Sequence, residues 1–307
     1  MPLNLSIIIP TKNRLETLKE VIESIKKQKD APSFELIIID DGSEDQTSNF
    51  LKNLKLDFPF YFELIKPSGP AKARNIGIDK ANGKVVLFFG DDTILHERCL
   101  YYHFLRQKEN DFSCAIIGRI FWHSSIKVTY FMDYINEWGL QFGFQLIEDP
   151  ENVPFNFFYT SNISIPKKFL KKEKFDETFP YAAWEDIELS YRLNKAGLRL
   201  KYRNDAIVYH KHPTNIKKFL ERQYKSGISA SIFYKKHPEL GNFLGIPLAK
   251  NLNEKKSFYL KLIKIICIIF ENTFIPVPNI WYKKIMEYNY LKGIKDSLNP
   301  QKETVNP

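Results

Sequence analysis

Short apolar runs alternate along the N-terminal part of the chain with segments whose apolar positions recur every three or four residues. Residues 6–10 are an isoleucine run closed by a proline and read as a strand, after which Leu15, Leu18, Val21, Ile22 and Ile25 repeat at helical spacing. The unit then recurs. Residues 34–39 read as a buried strand turned by Asp40, Asp41, Gly42 and Ser43, and Phe50, Leu51 and Leu54 form the stripe of the following helix. The pattern further predicts a strand over 61–65, a helix over 71–81 ending at Gly83, and a strand over 85–89 stopped by Gly90, Asp91 and Asp92. Wholly apolar strands separated by amphipathic helices predict an α/β fold, a mostly parallel sheet covered on both faces by helices.

Beyond Ile120 the periodicity is less regular and aromatic residues crowd in, among them Phe121, Trp122, Tyr130, Phe131, Tyr134, Trp138, Phe142, Phe144, Phe155, Phe157, Phe158 and Tyr159. Burial is the ordinary use of such residues, which leaves some of them to line an acceptor groove. A helix is predicted over 185–196, ended by Gly197, then a strand-like pattern over 198–208. From about Lys211 the chain reads as helical, basic and aromatic. The expected organisation is an α/β domain over 1–212, a helical extension over 213–300 and a frayed tail over 301–307.

With 44% hydrophobic and 26% charged residues in 307, the chain is long and apolar enough for a real core, which excludes a mainly disordered protein. The formal charge of +9 is unevenly spread: residues 1–198 hold 25 basic and 28 acidic side chains, residues 199–307 hold 20 and 8. A cationic C-terminal third favours an anionic partner, whether lipid, nucleic acid or substrate. No nucleic-acid module accompanies the charge, so nucleic acid ranks last. The apolar stretch over 258–270 is interrupted by Lys261 and Lys264 and closed by Glu271, short of the roughly 20 apolar residues of a membrane span. Mixed with Lys255 and Lys256 as well, it reads either as a cationic amphipathic helix resting on an anionic membrane surface or as a helix packed on protein. The first residues lack the marks of a secretory signal, so a cytoplasmic protein, peripheral at the inner face of the membrane, is expected. Cys99, Cys114 and Cys267, odd in number and widely spaced, fit neither a disulfide framework nor a zinc site and read as buried thiols.

In parallel sheets ligands bind at the carboxyl ends of the strands, where this chain carries Thr11, Asn13 and Arg14, Asp40 and Asp41, and Asp91 and Asp92. Adjacent carboxylates at Asp91 and Asp92 repel unless neutralised; a divalent cation completed by diphosphate oxygens is one solution, and an acidic turn capping the next helix is the other. The turn at Gly69 and Pro70 opens a helix carrying Lys72 and Arg74, suited to a phosphate, although both also read as solvated cations. Asp40 and Asp41 either accept from a base or ribose or serve an Asp-Gly turn. No Gly-x-Gly-x-x-Gly or Walker pattern occurs, which counts against dinucleotide oxidoreductases and P-loop enzymes. Glu185 and Asp186 open a helix where its dipole stabilises acids; the functional reading makes Asp186 a general base, with Glu185 orienting the acceptor. Glu188 and Arg192 read as a surface pair. His210 and His212 alternate on an extended segment and face one way, so His210 is either a metal or phosphate ligand or a structural residue.

Taken in order, Ser6-Ile7-Ile8-Ile9-Pro10-Thr11-Lys12-Asn13-Arg14, Ile39-Asp40-Asp41-Gly42-Ser43, Ala73-Arg74-Asn75-Ile76-Gly77, Phe88-Phe89-Gly90-Asp91-Asp92-Thr93 and the run from Trp184 to Arg192 resemble the family 2 glycosyltransferases of the GT-A fold. The resemblance covers about residues 5–212. It implies a Rossmann-like GT-A domain with a C-terminal helical extension. Pro10, Thr11, Asn13 and Arg14 would then border the nucleotide, Asp40 or Asp41 would meet the base, usually uracil, and Arg74, with Lys72 and Asn75 beside it, would meet the diphosphate. The family's Asp-x-Asp metal motif falls on Gly90-Asp91-Asp92, so its first acid is missing. Asp92 matches the metal-binding acid, and Asp91 is left for ribose or metal contacts. Asp186 matches the catalytic base. The implied reaction is metal-assisted, inverting transfer of a hexosyl or N-acetylhexosaminyl group from a nucleotide-diphosphate sugar, with Mg or Mn, to a hydroxyl of a glycan or lipid-linked acceptor, as in surface polysaccharide synthesis. The missing acid also keeps open a catalytically silent nucleotide- or carbohydrate-binding protein on the same fold.

Overall fold

The structure is a computed structural model and describes residues 3–253, 257–273 and 275–299. It divides into two compact units. The first holds the residues up to Lys127 together with Phe142–Glu177 and Glu185–His212; the second holds Val128–Gln141, Thr178–Trp184 and the chain from Pro213 onward. The expected tail over 301–307, and Lys255 and Lys256, lie outside the described residues.

The first unit is built on an eight-stranded sheet. Its opening strands are β1 (Leu5–Thr11), β2 (Phe34–Asp40), β3 (Phe60–Leu64) and β4 (Val85–Phe89), parallel to one another in the order β3-β2-β1-β4. Between them run α1 (Leu15–Lys26), α2 (Thr47–Asn53) and α3 (Pro70–Lys80). α1 buries Leu18, Val21, Ile22 and Ile25, the stripe that the spacing predicts. α3 lies hard on β1: a Cβ on Gly77 would come 2.5 Å from Cγ2 of Ile8, so only glycine admits this approach.

The rest of the sheet comes from β5 (Thr93–Leu95), β6 (Cys114–Trp122), β7 (Asn162–Pro166) and β8 (Arg199–His210), in the order β3-β2-β1-β4-β7-β6-β8-β5. β7 runs antiparallel between β4 and β6, β6 and β8 are parallel, and β5 is antiparallel to β8. The mostly parallel α/β sheet expected from the sequence is therefore mixed in its second half. The register of β6 on β8 slips at Gly118 and Arg119, a bulge. Beneath it, Asn162 Nδ2 donates to the carbonyls of Arg119 (3.1 Å) and Ala206 (2.8 Å). Helices α4 (Cys99–Glu109), α6 (Lys167–Leu170) and α7 (Glu185–Lys195) complete the unit. The three cysteines are free and buried, as expected.

The second unit is helical: α5 (Tyr130–Glu137), α8 (Ile216–Lys236), α9 (Ile246–Lys250), α10 (Ser257–Phe270) and α11 (Asn279–Leu298). α8 and α11 cross at two glycines; a Cβ on Gly227 would come 2.1 Å from the Tyr290 carbonyl oxygen, and one on Gly293 2.1 Å from that of Tyr224. Phe131, Tyr134, Phe219, Leu220, Ile263, Cys267, Ile285 and Met286 form its core. Most of the aromatics in the irregular stretch are buried or partly buried, while Phe121, Tyr130 and Trp138 stay exposed. Among the described residues no helix is long and apolar enough to cross a membrane.

Candidate active site

β1 and β4 are parallel neighbours, so their carboxyl ends bring residues 10–14 beside residues 90–92. Thr11 Oγ1 donates to Asp91 Oδ2 at 2.9 Å, and Arg14 Nη1 lies 3.2 Å from Asp92 Oδ2. Arg14 follows Asn13, whose φ of +53° puts it in the left-handed region and turns the chain toward that carboxylate. From the end of β8, His210 Nε2 approaches Asp92 Oδ1 at 3.5 Å; just beyond it, His212 Nδ1 approaches Oδ2 at 3.3 Å. The two imidazoles do face one way, their rings stacked with centroids 5.8 Å apart. Gly90 gives Asp92 its room, since a Cβ there would meet Asp92 Oδ1 at 2.8 Å.

The adjacent acids titrate in opposite directions. Burial and the neighbouring Asp92 charge push Asp91 up to about 6. Burial also opposes ionisation of Asp92, but hydrogen bonds from His210 and His212 and the charges of His210 and Arg14 outweigh it and hold the carboxyl far below its usual range.

The other predicted nucleotide contacts are placed as follows. Pro10 is partly exposed at the end of β1. Asn13 Oδ1 accepts from the backbone of Glu44 at 2.7 Å, tying the β1 loop to the β2 loop. Asp40 is buried, its carboxylate accepting from the Ser43 N–H at 2.8 Å and from the Ser48 hydroxyl. Asp41 accepts from the N–H groups of Ser68 (2.6 Å) and Gly69 (3.0 Å), fixing the turn that opens α3. Both therefore do turn work of the kind an Asp-Gly pair allows. Lys72 is exposed on α3. Asn75 is buried and latches the 175–177 segment, donating to the Phe175 carbonyl at 2.9 Å and accepting from its N–H at 2.9 Å.

The second acidic cluster lies where α3 meets the start of α7. Arg74 Nη1 pairs with Glu185 Oε1 at 2.9 Å, the two side chains only 11% and 4% exposed. Arg74 Nε and Glu185 Oε2 are buried without a hydrogen-bond partner. Asp186 is partly buried, and burial together with the Glu185 charge pushes it up to about 7 against the opposing pull of Arg74. Trp184, immediately before the acids, has φ +72°, a costly conformation for a bulky residue of the kind that gathers at functional sites. Glu188 and Arg192 do pair, at 2.8 Å, but with Glu188 buried rather than on the surface; Arg192 also holds Glu173 and the Lys174 carbonyl.

An aromatic chain that no spacing rule could find leads away from the first cluster. His210 stands edge-on to Phe142 with ring centroids 5.3 Å apart, and Phe142 stands edge-on to Tyr159 at 5.6 Å. Burial raises the Tyr159 hydroxyl pKa, and the Asp186 charge raises it further. The rings thus run from the Asp92 cluster to Tyr159, which feels the Asp186 charge.

Among the described residues no group of three or more His, Cys, Asp or Glu is already arranged to hold a metal ion. The donor types around Asp92 nevertheless suit one: a carboxylate held ionised and two imidazoles, with His210 Nδ1 buried and lacking any partner.

The model of the family described as Glycosyl transferase family 2 matches residues 6–172, more than half of the chain, and the chain belongs to that family. Over 262 residues it is 26% identical to an uncharacterized glycosyltransferase, YfnE, of Bacillus subtilis (strain 168), a match covering 69% of this chain and 66% of the relative. It is 25% identical to the hyaluronan synthase of Pasteurella multocida over 265 residues, 76% of this chain and 27% of the relative. The chain thus spans just under two thirds of the first of these and about a quarter of the second. Among solved structures, S. aureus TarS 1-349 in complex with UDP-GlcNAc superimposes with a TM-score of 0.58 at 17% identity, covering 97% of this chain and 93% of that one. The mannosyltransferase PcManGT from Pyrobaculum calidifontis, in complex with GDP-Man and Mn2+, gives 0.63 at 13% identity, covering 98% and 88%. At these identities the likeness is one of fold, and that fold is GT-A.

Proposed function

We propose that this chain transfers a sugar from a nucleotide-diphosphate donor, a uridine diphosphate sugar, to a hydroxyl of a glycan or lipid-linked acceptor, with inversion at the anomeric carbon. The observation that carries the reading is the pair of acidic clusters on one unit, Asp92 among Arg14, His210 and His212, and Asp186 beside the Arg74–Glu185 pair. Family membership and the donors bound by TarS and PcManGT support it.

In this mechanism Asp186 takes the proton from the acceptor hydroxyl as its oxygen attacks. A carboxylate pushed toward neutrality by burial is a stronger base than a free one and still largely ionised in mildly alkaline solution. Glu185, fixed by Arg74, sets the start of α7 and with it the direction of Asp186. Asp92 with His210 and His212 would hold a divalent cation, which when bound neutralises charge growing on the departing diphosphate. Arg14 and Arg74 supply fixed positive charge toward the same group. Thr11 orients Asp91 for the ribose.

A thermal-shift panel of UDP- and GDP-sugars with and without Mg or Mn tests donor binding, since a ligand that binds only the folded state raises its stability. Asp186→Asn should keep the donor-induced shift and lower turnover by about 10²–10⁴, the usual worth of a general base. A panel in which no nucleotide sugar shifts the midpoint rejects the donor site. Donor binding without transfer or donor hydrolysis in the native chain supports the silent binding protein instead.

A further inference from the structure

We propose that the outer face of α10 docks on an anionic lipid bilayer, with its apolar side chains inserted between the headgroups. The proposal concerns the second unit and stands apart from the transferase reading. Phe258, Leu262, Ile265 and Ile269 are spaced four, three and four residues apart, so they share one face of the helix. They are 73%, 47%, 53% and 64% exposed. The opposite face is the one used for packing, with Ile263 and Cys267 buried in the unit's core. Ile275, just past α10, and Ile280, in the first turn of α11, are also exposed, at 60% and 50%. A contiguous apolar stripe about three turns long, left in water while the same helix buries its other side, is the mark of an interaction surface rather than of scattered exposed residues.

The occupant follows from charge and length. α10 carries Lys261 and Lys264 and no acid. Exposed Lys283 and Lys284 stand on the adjoining turn of α11, the Lys284 ammonium lying 5.9 Å from the centre of the Tyr259 ring on α10. Apolar side chains edged by lysines suit a headgroup region of negative charge. A second copy suits the face less well, because a two-fold contact through this short stripe would bring both sets of lysines together. At 14 residues the helix is about 21 Å long and cannot cross a hydrocarbon core of about 30 Å, so it lies in the interface.

Sedimentation of the full chain with vesicles of phosphatidylcholine, alone or with one-third phosphatidylglycerol, tests this. The chain should pellet with the anionic vesicles at low salt and be largely released at high salt. The double variant Leu262→Gln/Ile265→Gln should partition at least about 100-fold more weakly, from the lost burial of two large aliphatic side chains, with unchanged circular dichroism and thermal midpoint. A second readout avoids any folding defect of that variant: Ile269→Trp, in the otherwise native chain, should shift its emission to the blue on anionic vesicles. The proposal is overturned if the native chain stays in the supernatant, if the double variant binds equally well, or if the new tryptophan emission does not move. A native dimer that the double variant converts to monomer, without vesicle binding, also overturns it and gives the stripe to a second copy.

Discussion

Removing the guanidinium of Arg74 tests the second acidic cluster in two independent ways. The Arg74–Glu185 contact is 2.9 Å long and almost closed to solvent, and Glu185 Oε2 has no other partner. Arg74→Met keeps most of the side-chain volume over the Phe175 ring, from which the guanidinium carbon lies 5.4 Å, and strands the Glu185 carboxylate. Breaking a buried pair from one side costs about 3–5 kcal/mol, a large share of a typical stability of about 5–15 kcal/mol. Urea denaturation should show a loss of that size, and Arg74→Met/Glu185→Gln should recover most of it because neither charge is then left alone.

The second effect is on Asp186, which must be ionised to act as base, so transfer should rise as pH passes upward through its pKa. Burial and the Glu185 charge raise that pKa to about 7, and Arg74 opposes them. Arg74→Met should therefore move the acid limb of kcat/KM to higher pH and Glu185→Gln should move it lower, each by about one pH unit for a single charge close by in a partly buried site. A stability loss below about 1 kcal/mol for Arg74→Met, or limbs that move in the same direction, would refute the assignment.

Two further outcomes are expected of the scaffold. Burial lowers His103 from 6.5 to about 4, so between these values the unfolded chain binds a proton that the folded chain refuses. His103 should therefore contribute a loss of about 3 kcal/mol as pH drops from about 6.5 to about 4, read as the difference between the native chain and His103→Gln in urea titrations repeated across that range, because Asp91 and Asp186, raised by burial, titrate there with the opposite sign. Gly118→Ala would place a Cβ 2.2 Å from the Ala206 carbonyl oxygen and 2.3 Å from Asn162 Nδ2. Opening the bulge to admit it should cost at least about 2 kcal/mol, read as a lower urea midpoint at unchanged slope; an unchanged midpoint would remove the bulge as a constraint.

β1, β2 and β4 were legible because each is an almost continuous apolar run, and β3, which carries Glu63 and is only partly buried, was legible from its place in the strand–helix repeat. Isoleucines on both faces of β1 and β2 announce burial on both sides without any knowledge of the neighbours. β7 and α4 were hidden because their buried faces are partly polar. β7 turns Asn162 and Ser164 inward, and α4 meets them with His103 and Gln107: His103 Nε2 lies 2.8 Å from Asn162 Oδ1, and Gln107 Nε2 donates to Ser164 Oγ at 3.0 Å. A core sealed by a hydrogen-bond network gives no apolar period, and the glycine bulge breaks the pattern of β6 as well.

The site shows the same division between what is local and what the sheet brings together. Adjacent acids, a helix opening on carboxylates and alternating histidines are local patterns, and each was readable. Their partners are not: Arg14 reaches Asp92 across 78 residues, Thr11 reaches Asp91 across 80, and Arg74 reaches Glu185 across 111. These partners decide the chemistry. Asp91 and Asp92 are the same residue type one position apart, yet at Asp91 the Arg14 charge, the Thr11 hydroxyl and the Lys12 N–H leave burial and the Asp92 charge in command, whereas His210, His212 and Arg14 gather on Asp92 and keep it ionised. Asp40 and Asp41 show how one local pattern serves two readings: the N–H groups of Ser43, Ser68 and Gly69 meet their carboxylates as an Asp-Gly turn requires, and that contact leaves the nucleotide reading open. An acid's identity can be read from the sequence, but its charge is set by groups that only the strand order brings within reach.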